Sequence, residues 1–373
     1  MFLAWRNLIY DRVRLTVTLT GIVFALVLLV VQFGLFLGFQ DTSANVIEHS
    51  NADLWICAPG TPHLNGATPF PESRLYKAIG TPGVQTVQKY IVSFVNWKLP
   101  NGGTESVQIT GFDLETGLGG PWNVTQGSVE DLHGEDTIIV DELYMKKLGV
   151  TGIGHSTEIT GRRARVVGFT RGIRSFTTSP YVYTSFKNAQ SYAGFGADQT
   201  AFLLIKAAPG VDIGQLKQDL ARHVPDVDIF TNQEFLDKTR NYWVFGTGAG
   251  ITTLIGAFLG FVVGIVVVAQ TIYAATVDHI REFGTLKAMG ASNFYIYRVI
   301  VWQALLNAVM GYSIAIVIAA FVAHGSESGD AVILLPWQMA VLTFGLAILM
   351  CCGASVLSIR KATTIDPAMV FKG

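Results

Sequence analysis

The residues able to do chemistry are present in this 373-residue chain, but their spacing supplies no catalytic constellation. Seven histidines, at 49, 63, 133, 155, 223, 279 and 324, include no HExxH pair or other ligand spacing. No GxxxxGK[ST] phosphate loop occurs. Gly246-Thr-Gly248-Ala-Gly250 has glycine-loop spacing, yet it opens an apolar segment instead of following a strand. Cys57, Cys351 and Cys352 give no disulfide framework, and the adjacent pair reads as small apolar packing residues. The expectation is a chain with no catalytic residue, no metal site and no directly bound cofactor.

The elements that surround these residues explain the lack. Half the chain is hydrophobic, only 14% is charged, and the mean hydropathy is +0.42. A soluble domain usually carries about 25% charged residues. Four windows, 15–39, 246–275, 297–322 and 334–358, are apolar enough to cross a bilayer, which takes about 20 helical residues. The predicted fold class is therefore a membrane protein, with four transmembrane α-helices and a large external α/β domain, 40–245, inserted between spans 1 and 2. Basic residues set the orientation. Arg6, Arg12 and Arg14 precede the first span, and Arg281, Lys287 and Arg298 lie about the loop between the second and third. Arg360, Lys361 and Lys372 follow the fourth, whereas the 323–333 loop has no Lys or Arg. Both termini and 276–296 are expected in the cytoplasm, and 323–333 outside. Residues 1–14 place Phe2, Trp5, Leu8 and Ile9 at helical spacing, as in an interfacial helix resting on lipid, and 359–373 form a cytoplasmic tail. A net charge of −1 without a large basic patch excludes nucleic acid as a partner.

Within 40–245, strand-like runs alternate with Gly, Pro and Asn turn signals, LPNGG at 99–103 reading as a hairpin turn. AFLLIK, GQLKQDLARH and VDIFT read as strand, helix, strand. Two subdomains are expected, a β-rich part near 90–185 and an α/β part from 50–90 plus 198–232. The loop RGIRSFTTSPYVYT gathers Arg171, Arg174, Phe176 and Tyr181 beside hydroxyl residues. It reads either as a contact for a partner or an anionic amphiphile, or as a loop entering a strand. In the second span, Gly248, Thr252, Gly256, Gly260 and Gly264 recur every four residues, a stripe that lets another helix approach closely. That helix is either a span of this chain or one of a second copy.

Between the second and third spans lies REFGTLKAMGAS. Val277, Ile280, Phe283, Leu286 and Met289 give a short amphipathic helix, Gly290 a left-handed C-cap, and Ser292 an N-cap for the third span. This stretch resembles the REIGxLRAxGAS signature of FtsX/MacB-type ABC transporter permeases, at the same place in the chain. SIRKATTIDPAMVFKG resembles that family's closing element, and GEDTIIVDELYMKKLGV with STEITGRRARVVGF resembles its periplasmic-domain run. The start of the chain and the RGIRSFTTSPYV loop look closest to the DevC-type branch.

The resemblance implies the permease subunit of a bacterial inner-membrane ABC exporter, a homodimer working with a separate ATPase subunit that binds the ATP. It also implies a periplasmic membrane-fusion adaptor and an outer-membrane channel, in addition to membrane lipid. Arg281, Glu282, Phe283, Gly284, Thr285, Leu286, Lys287, Ala288, Met289 and Gly290 would be the ATPase-coupling segment. An FtsX-like regulator of a periplasmic partner and a lipid- or haem-extracting permease are the alternatives within this resemblance.

Overall fold

A computed structural model describes residues 12–278, 284–285, 287, 289–326, 329 and 331–363. Of the interfacial helix expected over 1–14 and the tail over 359–373, residues 1–11 and 364–373 lie outside the described residues. Four helices are long and apolar enough to cross a membrane: Arg12–Thr42, Ala249–Asp278, Asn293–Ser326 and Trp337–Thr363. Most outrun their apolar windows, because backbone hydrogen bonding carries the helix on into flanking polar residues such as Gln40 and Asp41. The chain divides into two compact units, one of the four span helices and one of residues 39–249 with 328–331.

In the helical unit, Ile22, Leu26, Val268, Ala304, Ala347 and Met350 share one buried core. Lipid offers no hydrophobic drive between helices, so close approach through small residues has to supply the contact. A Cβ at Gly256 would sit 2.9 Å from Gln32, one at Gly260 3.2 Å from Leu28, and one at Gly264 2.7 Å from Ala25. Gln32, Leu28 and Ala25 follow one another along the first span, so this part of the stripe is the seat of that helix in the same chain. Gly248 is a correction. It precedes the helix in a left-handed turn, φ +76°, with open space where a Cβ would be. Fourfold spacing continued beyond the point where the helix begins. Thr252 is exposed, and the glycines of the stripe that approach the first span closely are Gly256, Gly260 and Gly264.

The inserted domain is built on twelve strands: β1 Leu54–Cys57, β2 Phe70–Pro71, β3 Val84–Lys98, β4 Thr104–Phe112, β5 Val124–Gln126, β6 Thr137–Asp141, β7 Ser156–Ile159, β8 Arg162–Thr170, β9 Tyr181–Ser185, β10 Gln199–Thr200, β11 Phe202–Ala207 and β12 Asp228–Thr231. Ten of them form one sheet, ordered β12-β1-β11-β3-β4-β9-β6-β8-β5, while β2 and β10 pair separately. β7 pairs with both β8 and β3, so β3-β4-β9-β6-β8-β7 closes into a barrel. Closure rests on a single pair, Trp97↔Ile159. The expected turn joins β3 to β4, with Lys98 opposite Thr104 and Gly102 at φ +83°.

The two expected subdomains are not separate. The 15-residue β3 runs through both, pairing with β11 along its first half and with β4 along its second. The strand–helix–strand unit is present but split: β1 lies between β11 and β12, antiparallel to each. Its helix, Ile213–His223, is capped by Asp212 and buries Leu216 and Leu220 beside Ile56, Leu203 and Ile205. On the other side of that sheet, Trp55 makes edge contacts with Tyr90 and Phe202 and packs on Phe235.

Candidate functional site

Two places hold the residues that the sequence singles out. The first is the loop between β8 and β9. Its start is fixed by Asp141 at the end of β6. Oδ2 of Asp141 accepts hydrogen bonds from the Ile173 backbone N–H at 2.8 Å and the Thr170 hydroxyl at 3.0 Å, while Oδ1 accepts from Leu143 N–H. The middle is fixed by Gln108, wholly buried on β4, whose Nε2 lies 2.6 Å from Ser175 Oγ, 2.9 Å from Thr177 Oγ1 and 3.1 Å from the Ser179 carbonyl. Asn65 donates to the other end of that amide. Asn45, three residues past the first span helix, donates to the Arg174 carbonyl at 2.8 Å.

Aromatic rings continue this clasp. Phe176 meets Phe39 edge-on at 5.4 Å and Trp243 at 4.6 Å. Trp243 contacts His63 and Tyr242, and the imidazole of His63 stacks on Tyr242 at 4.1 Å. Burial pushes the pKa of His63 down to about 4, so the cluster stays uncharged at neutral pH. Arg240 Nε donates to the Gln40 carbonyl at 3.1 Å, tying the segment that leaves the first span to the one that enters the second. Residues 242–246 form a π-turn there, a local widening of the helix common at functional sites. The loop is therefore a structural clasp that joins both span-connecting segments to the barrel.

The residues proposed as a partner contact separate accordingly. Tyr181 lies on β9 and is 1% exposed, so it offers no contact; the strand is buried on both faces from Tyr181 to Thr184. Phe176 and Arg174 are half-buried in the clasp. Arg171 alone of the four is exposed, and its Nε donates to Glu142 at 2.9 Å. The Thr125 hydroxyl and Arg171 together hold the Glu142 carboxyl below the usual range. Gln108, Asp141, Asn45 and Trp243 escaped the sequence reading. Their only signal was polarity or size in an otherwise apolar strand or helix end.

The second place is the segment between the second and third span helices. Arg281, Glu282, Phe283, Leu286 and Ala288 lie outside the described residues. Gly284, Thr285 and Lys287 are helical, Gly284 buried and Thr285 exposed. Met289 N–H bonds to the Thr285 carbonyl and Gly290 N–H to that of Lys287. Gly290 then adopts φ +92°, the left-handed stop of a helix end. Ser292 Oγ receives the Tyr295 N–H at 3.4 Å at the start of the next helix. Met289, 72% exposed, stands at this corner as an apolar knob. Among the described residues no group of three or more His, Cys, Asp or Glu side chains is placed to hold a metal ion.

Comparison with known proteins gives two family matches, the MacB-like periplasmic core domain over residues 15–223 and the FtsX-like permease C-terminal region over 254–367. An uncharacterized ABC transporter permease of Mycobacterium tuberculosis is 24% identical over 384 residues, covering 100% of this chain and 99% of its own length. One from Mycobacterium bovis is 23% identical over the same coverage. The periplasmic region of MacB from Actinobacillus actinomycetemcomitans aligns with a TM-score of 0.39 and 14% identity, over 53% of this chain and 98% of its own. The extracellular domain of the noncanonic ABC-type transporter YknZ gives 0.38 and 15%, over 48% of this chain and 99% of its own.

Proposed function

The chain belongs to the MacB/FtsX family of permeases, and from that membership we propose that it is the membrane subunit of an ABC exporter in the bacterial inner membrane. Two copies work with a separate ATPase that binds and hydrolyses the ATP. Both termini and the 276–296 segment lie in the cytoplasm, and the inserted domain lies in the periplasm. Closure of the ATPases pushes on the coupling segment, Arg281–Gly290. The push moves the first and second span helices and, through the 171–180 clasp, the barrel; substrate does not cross between the spans. In this reading the domain acts on a periplasmic adaptor and an outer-membrane channel.

The observation that carries the proposal is the corner at Met289–Gly290. A helix end stopped by a left-handed glycine, followed at once by a capped span helix, leaves little slack between an applied force and the membrane. A transmitter of motion needs stiff elements with two discrete arrangements.

The test is purification of the tagged chain from its native membrane in mild detergent, with mass spectrometry of what accompanies it. An ATPase subunit together with an adaptor is the expected result. An ATPase without an adaptor would restrict the role to regulation of a periplasmic partner or extraction of lipid or haem. Recovery of the chain with no ATPase would overturn the proposal.

A further inference from the structure

A cavity of about 570 Å³ opens on the inserted domain at the seam of the barrel, lined by Lys98, Leu99 and Pro100 on one side and by His155–Glu158, Gly161 and Arg163 on the other. Trp97↔Ile159 is the one ladder pair between β3 and β7, and toward Lys98 the strands are joined by side chains and no longer by backbone pairing. The joins are Thr157 Oγ1, which donates to the Lys98 carbonyl, and the Lys98–Glu158 ion pair at 2.7 Å. Both side chains of that pair are about half exposed, so solvent screens it and a competing carboxylate can displace Glu158.

The charge around the seam is unbalanced. Residues 113–142 carry eight Asp or Glu and no Lys or Arg, whereas 146–165 carry five Lys or Arg and one Glu, Glu158. Glu105, the other carboxylate near this end of β4, is taken by Lys147 at 3.3 Å. Arg162, Arg163 and Arg165 are all exposed and form no ion pair among the described residues. Strand register puts Arg163 opposite Glu158 and Arg165 opposite Ser156, so the two share one face of β8, with Arg163 lining the cavity and Arg165 beside it. Arg163 and Arg165 stand two apart on one face of β8 and repel one another, and the one carboxylate opposite them, Glu158, is held by Lys98.

We infer that this seam is a docking site for an acidic, extended segment of a partner protein. The Arg163 and Arg165 side chains take its carboxylates, and Leu99 and Pro100 pack against its apolar positions. Arginine forks match carboxylates in two-point geometry, and a mixed wall of apolar and hydroxyl side chains suits a polypeptide better than a free anion. The inference names a partner for the domain and rests on the permease reading for its consequence. The binding itself requires neither ATPase nor transport, so its failure would leave the coupling proposal standing.

The test uses the full chain in detergent and a fluorescein-labelled decaglutamate peptide, read by anisotropy. Saturable binding that weakens between low salt and about 0.5 M salt is expected. Arg163→Glu with Arg165→Glu lowers the affinity about tenfold or more, and Lys187→Glu, an exposed charge on the helix Phe186–Ala193 and not in the cavity lining, leaves it unchanged. Glu158→Gln frees Lys98 and strengthens binding, a change that misfolding would not produce. Absence of saturable binding, equal losses in the Lys187 variant, or full displacement by equimolar inorganic phosphate would each overturn the inference. Equal binding of a ten-residue oligothymidylate would overturn it as well, by showing a site for any polyanion.

Discussion

Replacing Phe283 and Met289 together with aspartate is expected to lower transport and the stimulation of the partner ATPase by about tenfold or more, with the chain still inserted in the membrane. Met289 stands exposed at the turn that closes the coupling segment. An apolar knob seated in a partner's pocket is the kind of contact whose removal costs about 1.4 kcal/mol or more, a factor of ten in occupancy. A carboxylate in its place would also have to be desolvated, which adds to the loss. Met289→Leu conserves volume and hydrophobicity and should retain most activity. The position follows a helix end already held by Gly290, so neither change should disturb the span helices. Unchanged ATPase stimulation in the double variant would show that force enters the permease elsewhere.

Asp141→Ala is expected to destabilise the inserted domain by about 3 kcal/mol or more, because hydrogen bonds to a charged group contribute about 1.5–3 kcal/mol each. The carboxylate is 1% exposed and accepts three of them, from Leu143, Thr170 and Ile173. Removing it strands the Ile173 N–H in a buried position. A domain of this kind has a net stability of about 5–15 kcal/mol, so the loss is a large fraction of the whole. Asp141→Asn keeps one acceptor but turns a donor toward another donor, and should recover only part. Unfolding of the full chain in detergent, followed by tryptophan fluorescence, reads the difference. Limited proteolysis should show earlier cleavage within 171–180. A change below about 0.5 kcal/mol, the range of an ordinary surface substitution, would mean that the clasp is held by its aromatic contacts alone.

What was legible in the sequence was local. Four apolar windows became four long helices because composition over about 20 residues decides that outcome. The LPNGG turn, the Asp212-capped helix and the Gly290 stop were equally readable, each depending on a handful of adjacent residues. The barrel was not, since it closes through Trp97 and Ile159, far apart in sequence and with no shared pattern. Nor was β1 visible as the strand that splits the β11–β12 unit, because a four-residue apolar run says nothing about its neighbours. The 171–180 loop stayed open between two readings for the same reason. Its arginines and hydroxyl residues suited a contact surface as well as a loop entering a strand, and it is Gln108 and Asp141, on strands well before it, that draw its backbone into the core. The glycine stripe was readable as a packing face, but its first residue belonged to a turn and its partner, the first span of the same chain, needed the fold.

The central claim is that ATP on the partner subunit moves the inserted domain. The most direct measurement is the distance between spin labels on two copies of the chain, reconstituted with the ATPase, with and without a non-hydrolysable ATP analogue. Lys187→Cys offers an exposed position on the domain, and with Cys352 replaced by Ala the remaining cysteines, Cys57 and Cys351, are buried. The account predicts a distance distribution that shifts when nucleotide binds and that stays fixed when Phe283 and Met289 are aspartate. One unchanging distribution in the otherwise wild-type complex, with and without nucleotide, would contradict it.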